Sequence, residues 1–165
     1  AAGERHTVLI DAGGGACAFG CGSCGQLGTG FSHDEARPRR MGSLRGQRLQ
    51  AASCGGGHTL LLGREGRLWS AGANGFGQLG LGDTAPRHWP TLVGGLPEGP
   101  VASAVASANL SLALMATGEL WAFGQRETPI AFGCPRTDAL SASGRAGTPG
   151  AGHMGSHGVT WGHMG

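Results

Sequence analysis

Three closely spaced cysteines are the first feature of the chain that could support chemistry. Cys17, Cys21 and Cys24 form a C-x3-C-x2-C pattern. Three thiolates can hold an iron–sulfur cluster, and soft thiolate ligands also suit other transition metals. Spacing alone is weak evidence for a cluster, however, so the choice between a ligand loop and packing residues depends on the surrounding sequence.

A glycine pattern overlaps the cysteines. Gly20, Gly22 and Gly25 read G-x-G-x-x-G, which binds a dinucleotide only where a strand leads directly into a helix. Here Gln-Leu-Gly follows Gly25, and that continuation favours a turn.

Two histidines invite a catalytic interpretation. His6 and His58 are each followed by a threonine, but no nucleophile and base accompany them in sequence. A group that recurs in each unit of a repeat usually satisfies buried backbone groups. We therefore predict a structural role for both histidines.

All of these residues belong to an internal repeat with a period of 52 residues. Between His6 and Gly30, 10 of 25 positions are identical to those 52 residues later, and 6 of 13 are identical between Leu60–Gly72 and Leu112–Gly124. A fixed period of this length is typical of propellers and solenoids. Cys17 takes the place of Trp69 and Trp121, which predicts a position in the interior of a blade.

Each unit has the pattern of antiparallel strands. Leu60 and Leu62 alternate with their neighbours, as do the leucines of the next unit, and Glu65-Gly66 and Thr117-Gly118 lie between two apolar runs. An x-Gly pair in that position is typical of a tight hairpin. We predict an all-β chain.

The repeat resembles a known family. The pattern G-x-x-H-T-L-x-L-x-x-x-G-x-L-W-x-x-G-x-N-x-x-G-Q-L-G-x-G, followed by a proline, is similar to the regulator-of-chromosome-condensation repeat; it is clearest in Gly55–Pro90, good in Gly3–Pro38 and partial in Leu110–Gly124. The resemblance implies β-propeller structure, of about seven blades in the family. For this chain it implies a partial β-propeller of two to three antiparallel blades.

The predicted organisation follows the repeat. It comprises propeller repeats at 1–54 and 55–106, a partial, degenerate repeat at 107–134, and a flexible tail at 135–165 that is rich in glycine, alanine and serine. Because the chain starts within a repeat and without an initiator methionine, we expect it to be a piece of a longer protein.

Composition excludes several functions. All twelve basic residues are arginines, which excludes Schiff-base chemistry on a lysine and the P-loop lysine. The net charge of +2 does not favour direct binding of nucleic acid, and the sequence has no apolar run of about 18 residues that would cross a membrane. The scattered cysteines favour a reducing, intracellular compartment, cytoplasmic or nuclear.

The resemblance and the loops together predict function. The family implies a protein-interaction scaffold without a cofactor, a bound metal or catalytic residues in this chain. The alternatives are a guanine-nucleotide exchange factor for a small GTPase and the propeller part of a larger ubiquitin-ligase-like protein. We expect a partner with an acidic surface, such as a small GTPase or a chromatin protein, because arginines bind carboxylates and phosphates through two parallel hydrogen bonds. The candidate partner-binding residues lie between the repeat motifs, where we interpret 31–50 as one exposed connecting loop. They are Arg37, Arg39, Arg40, Arg45 and Arg48 in that loop, and Arg87 and Trp89 in the equivalent stretch of the second unit.

Overall fold

The computed structural model describes residues 1–44, 46–125 and 144–146. The strands, in chain order, are β1 His6–Ile10, β2 Ala16–Gly20, β3 Glu35–Arg40, β4 Leu49–Cys54, β5 His58–Gly63, β6 Leu68–Gly72, β7 Arg87–Leu92, β8 Val101–Ser107, β9 Leu110–Met115, β10 Leu120–Gly124 and β11 Gly144–Ala146. A single turn of 3-10 helix, Gly42–Leu44, interrupts them. Within the described ranges no helix is long and apolar enough to cross a membrane.

The strands form three antiparallel sheets. Sheet 1 has the order β1-β2-β3, sheet 2 the order β4-β5-β6-β7, and sheet 3 the order β8-β9-β10-β11. The prediction of an all-β chain with two to three antiparallel blades is confirmed. The first strand of sheet 2, β4, lies in the range 1–54 of the first predicted repeat. The predicted tail, 135–165, lies outside the described residues apart from β11, whose backbone pairs with β10.

Each sheet contains a hairpin at the same position in the repeat. The turns lie at 11–15, 63–67 and 115–119, and their glycines have positive φ: 85° at Gly14, 76° at Gly66 and 89° at Gly118. An L side chain adopts this backbone region only at a cost. The amide of Gly66 donates to the carbonyl of Gly63 across the turn, at 3.0 Å. The predicted hairpins at Gly66 and Gly118 are therefore confirmed.

The hydrophobic core lies between sheets. Leu61 and Trp69 of sheet 2 belong to a cluster with residues of sheet 1, including Val8, Ala16 and Ala18. The opposite face of sheet 2 meets sheet 3 through a second cluster, which contains Leu60, Leu62, Leu68, Val101, Ala113, Met115 and Phe123. Because both faces of sheet 2 are covered, every residue of β5 is buried.

The structure changes the interpretation of Cys17. Cys17 pairs with Leu9 across β1 and β2, and the side chains of directly paired residues share a face. Leu9 is 48% exposed and Cys17 is half-buried. Since Ala16 and Ala18 face sheet 2, Cys17 lies on the open face of sheet 1. The predicted interior position holds for Trp69, which is buried, but not for Cys17.

A matched pair of substitutions tests this packing. Leu9 and Leu61 occupy the same repeat position, but Leu61 is fully buried between two sheets while Leu9 is half exposed. In the 165-residue chain, Leu61→Ala should lower the free energy of unfolding by about 2–5 kcal/mol, because it leaves a cavity. Leu9→Ala should cost less than about 1 kcal/mol. Urea unfolding of both variants checks this, and equal losses would contradict the stacking described here.

Candidate partner-binding site

The antiparallel strands give the stacked sheets two different ends. One end carries the long loops 21–34 and 73–86 and the short turns 55–57 and 108–109; we call it the loop end. The other carries the hairpin turns and the connections 41–48 and 93–100; we call it the hairpin end. Predicted binding residues are distributed between the hairpin end and the outer edges of the sheets.

An open cleft lies at the hairpin end of sheet 1. It has a volume of about 1110 Å³ and is bounded by the turn 11–15 and the connection 41–48. Arg40, the last residue of β3, donates from Nη2 to Oδ2 of Asp11 at 2.7 Å. Hydrogen bonding by the Gly15 amide, and the nearby Arg40, hold the pKa of the Asp11 carboxyl below its ordinary value. Arg48 and Gln47 line the same cleft. We call it the arginine cleft.

Sheet 2 has the corresponding cleft, with different residues. It has a volume of about 450 Å³ and is lined by residues of the turn 63–67 and the connection 93–100. At the position of Arg40 it has Leu92, and at that of Arg48 it has Pro100. The fold therefore forms a cleft at this place in both units. Two arginines, Arg40 and Arg48, line the first cleft, whereas the second has the single arginine Arg67 together with Glu65.

A second basic group lies on β3, the outer edge strand of sheet 1. Arg39 donates from Nη1 to Oε1 of Glu35 at 2.6 Å, and its guanidinium carbon lies 4.6 Å from the centre of the Phe31 ring. His33 Nε2 lies 3.2 Å from the same Glu35 oxygen. Phe31 is 44% exposed. An arginine held over an exposed ring presents a flat surface that is both apolar and basic.

The outer edge of sheet 2 carries the remaining candidates. Arg87 donates to Asp83 through Nη2, and this hydrogen bond is the main cause of the lowered pKa of Asp83. Trp89 is 48% exposed, and its indole lies so close to Gly30 that a Cβ there would overlap it. Trp89 therefore packs on the loop 21–34 of the first unit and joins that loop to sheet 2.

The structure groups some of the predicted residues and separates others. Arg40 and Arg48 share the arginine cleft, whereas Arg37 and Arg39 lie along β3 and Arg87 lies at the start of β7. Arg45 lies outside the described residues. The interpretation of 31–50 as one connecting loop was wrong for Glu35–Arg40, which pairs with β2.

Sequence reasoning missed Asp11 and Phe31. Both hold a predicted arginine in place, Asp11 from 29 positions away. The repeat contained a usable signal, since Asp11 and Phe31 stand where the second unit has Gly63 and Asp83.

The two repeated histidines link neighbouring sheets. His6 Nε2 lies 2.8 Å from Thr59 Oγ1, and His58 Nε2 lies 2.8 Å from Ser111 Oγ. Each hydroxyl donates its single proton to a backbone carbonyl 2.7 Å away, that of Gln26 or Gln78. The hydroxyls therefore accept from Nε2–H, which assigns the tautomer of both rings. This arrangement supports the structural role predicted for the histidines.

Burial keeps these rings neutral. Desolvation lowers the pKa of His58 from 6.5 to about 4, and the neighbouring His6 adds to that shift. Desolvation also lowers the pKa of His6. At His6 a protonated ring would place a charge where the Nδ1 atom finds no partner among the described residues, and at His58 desolvation outweighs the hydrogen bonding of the Ala108 backbone, which favours the charged form.

Most residues of the cysteine and glycine patterns lie in turns at the loop end, whereas Cys17 lies in β2. Cys21 Sγ lies 3.3 Å from Ser23 Oγ, and the amide of Gly25 donates to the carbonyl of Gly22. The glycines lead from β2 into turns, not into a helix. Within the described part of the chain, no three His, Cys, Asp or Glu side chains are grouped so that they could hold a metal ion.

Comparison with known proteins identifies the family. A family model of the regulator of chromosome condensation (RCC1) repeat matches residues 13–62 and 65–114, and a second model of this repeat matches 50–78. The chain belongs to the RCC1 repeat family. The resemblance seen in the sequence is confirmed.

Relatives within the RCC1 repeat family are much longer than this chain. The X-linked retinitis pigmentosa GTPase regulator of Canis lupus familiaris is 33% identical over 123 residues, which are 74% of this chain and 12% of that protein. Protein RCC2 of Homo sapiens is 42% identical over 92 residues, 54% of this chain and 18% of the relative. The probable E3 ubiquitin-protein ligase HERC3 of Homo sapiens is 40% identical over 94 residues, 56% of this chain and 9% of the relative.

Solved structures agree with the RCC1-type fold. Yeast RCC1 (Prp20), solved bound to Kap60, superposes with a TM-score of 0.77 at 20% identity, over 91% of this chain and 37% of that one. Human WBSCR16 gives a TM-score of 0.70 at 22% identity, over 74% and 31% of the two chains. At this level of identity the likeness concerns the fold.

The histidine links of the RCC1 repeat predict a pH dependence. The pKa of His58 is about 4 in the folded chain and 6.5 ordinarily, so between these values the unfolded chain binds more protons. The free energy of unfolding should be largest above pH 6.5 and fall by up to about 3 kcal/mol as the pH drops to about 4. Chemical unfolding from pH 4 to 8 measures it.

His58→Gln is the matched control for that titration. A glutamine amide can still donate to Ser111 but does not titrate, so the variant should lose much of the slope between pH 4 and 6.5, and His6 should supply the remainder. Identical slopes in the two proteins would exclude His58 as the source.

Proposed function

We propose that this chain is the partner-binding part of an RCC1-type propeller protein, and that it docks a protein with an acidic surface on the basic side of its first unit. The family and the propeller fold support a scaffold. Because that unit exposes several arginines, the proposed partner has a negatively charged surface. In this proposal the chain carries out no bond chemistry of its own and works in an intracellular, reducing compartment.

The observation that carries the proposal is the difference between two units of the same fold. Arg37, Arg39 and Arg40 of β3 stand where β7 has Trp89, Thr91 and Leu92. Both strands occupy the outer edge of their sheets, so packing does not require arginine there. Exposed charges that the fold does not need are available for a partner.

Names of relatives suggest two kinds of partner. One relative is called a GTPase regulator, and the structure of Prp20p from Saccharomyces cerevisiae was described together with its binding to Gsp1p and histones. We therefore propose a small GTPase or a chromatin protein as the first partners to test. Direct binding of nucleic acid is not part of the proposal, since the net charge of the chain is only +2.

Two more specific roles follow from the relatives. Nucleotide exchange on a small GTPase is the main alternative, because the match to the GTPase regulator spans most of this chain. The chain could instead serve as the propeller of a ubiquitin ligase, as the match to HERC3 suggests. In that case it would recruit substrates, and the transfer chemistry would reside elsewhere in the protein.

A triple substitution tests the docking surface. Arg37→Ala, Arg39→Ala and Arg40→Ala together should weaken the capture of acidic partners at least tenfold, because several desolvated arginines can dominate an interface. The melting temperature should change little, since exposed ion pairs contribute about 0–1 kcal/mol each. Capture at graded salt concentrations, followed by mass spectrometry, measures the effect.

The matched control removes the same charge elsewhere. Arg5, Arg64 and Arg67 are also exposed, and their replacement by alanine lowers the net charge equally. If both triple variants lose the same partners, the effect is one of net charge and the surface proposed here is wrong.

Nucleotide release separates the exchange-factor role from the scaffold. Purified small GTPases loaded with a fluorescent guanine nucleotide should release it at their intrinsic rates in the presence of a plain scaffold. If the chain accelerates nucleotide release about tenfold or more, and the β3 triple variant does not, the chain acts as an exchange factor and the plain scaffold is excluded. Stopped-flow fluorescence makes this measurement.

A further inference from the structure

We propose that the arginine cleft of sheet 1 binds a carboxylate of an acidic peptide segment, and that Asp11 occupies Arg40 as an internal substitute for that carboxylate. This site deepens the proposed function and rests on it. Unlike the basic surface as a whole, the cleft has a defined set of residues, a defined ligand group and a competing carboxylate within the protein.

The cleft offers several hydrogen-bond donors to an anion. Arg40 is 71% exposed and contacts Asp11 through Nη2 alone, although a guanidinium has five N–H groups. The exposed Arg48 and the half-buried Gln47 line the same space, and their side chains have no hydrogen-bond partner among the described residues. These side chains present two positive charges and an amide, against the single negative charge of Asp11.

Glycines open the cleft beside this ion pair. A Cβ at Gly15 would lie 2.7 Å from Oδ2 of Asp11 and 3.1 Å from Nη2 of Arg40, so a side chain there would have to displace the ends of these two side chains. A Cβ at Gly13 would lie 3.2 Å from Oδ1 of Asp11. The second unit has Glu65 and Arg67 at these two positions, and its cleft is less than half as large.

The floor of the cleft indicates a peptide. Met41 and Leu44 line the cleft and are both buried in the core between sheets 1 and 2. They fix the turn Gly42–Leu44 at the edge of the cleft. A carboxylate matches the group that Arg40 already binds, and the apolar floor suits the aliphatic stem of a glutamate side chain.

The test uses a fluorescein-labelled hexaglutamate peptide and the full chain, with fluorescence anisotropy at low salt. Arg40→Leu, which introduces the residue of the second unit, and Arg48→Ala should each weaken binding about tenfold. Asp11→Asn should strengthen it about three- to fivefold, because it removes the competing carboxylate from Arg40. A hexaglutamine peptide should not bind.

Two control variants separate the effect of the cleft residues on binding from the effect of a changed net charge. Glu65→Gln changes the charge as Asp11→Asn does but lies in the turn of the second unit, and Arg67→Ala, in the same turn, matches Arg48→Ala in the same way. Both should leave hexaglutamate binding within about twofold of the original chain. Equal effects of Asp11→Asn and Glu65→Gln would overturn the proposal.

Inorganic phosphate distinguishes the ligand group. If phosphate displaces no more hexaglutamate than sodium sulfate does at equal ionic strength, the carboxylate assignment stands; if phosphate binds and hexaglutamate does not, the assignment is wrong. The β3 triple variant separates the two proposals. If it no longer binds hexaglutamate but still captures the same proteins, the cleft is supported and the proposed docking surface is rejected. Unchanged hexaglutamate binding by Arg40→Leu and Arg48→Ala, both with native melting temperatures, rejects the cleft alone.

Discussion

Face-to-face packing of neighbouring sheets is the constraint on which the rest of the structure depends. The apolar face of a sheet must be buried against another element. In the middle of the stack, β5 is covered on both sides and is buried at every residue. In β9, at one end, buried and more exposed residues alternate. A residue at the same repeat position therefore contributes differently to the free energy of unfolding, depending on whether a neighbouring sheet covers it. Leu61 is covered and fully buried, whereas Leu9 is half exposed.

The histidine–hydroxyl contacts align these faces with one another. Packing of leucines resists separation but specifies position weakly, because apolar contact has no direction. Each histidine reaches a hydroxyl of the next sheet, and that hydroxyl donates to a carbonyl of the loop-end turn of the histidine's own unit. Three backbone and side-chain groups are thereby satisfied in a buried place, where an unpaired polar group is costly. Sheet 3 has Leu110 at the histidine position, so it presents no equivalent donor.

Local features of this chain could be predicted from sequence, and long-range pairings could not. The hairpins at Gly66 and Gly118 are local, since a turn glycine and the alternation beside it lie within a few residues. Strand β3 was missed because Pro38 and four charged residues are untypical of a strand. An edge strand tolerates them, since a proline there need not donate to a neighbour. The Asp11–Arg40 pair joins residues 29 positions apart, and no local pattern indicates which carboxylate an arginine will meet.

The two well-formed units separate what the fold requires from what it leaves free. Several buried residues are the same in both units: Gln26 corresponds to Gln78, and Leu27 corresponds to Leu79. The outer edges and the hairpin-end clefts differ in charge, although corresponding strands, turns and connections form them in the two units. Arg40 is largely exposed, so replacing it changes the surface without opening the core. Binding specificity can therefore vary from blade to blade at little cost in stability.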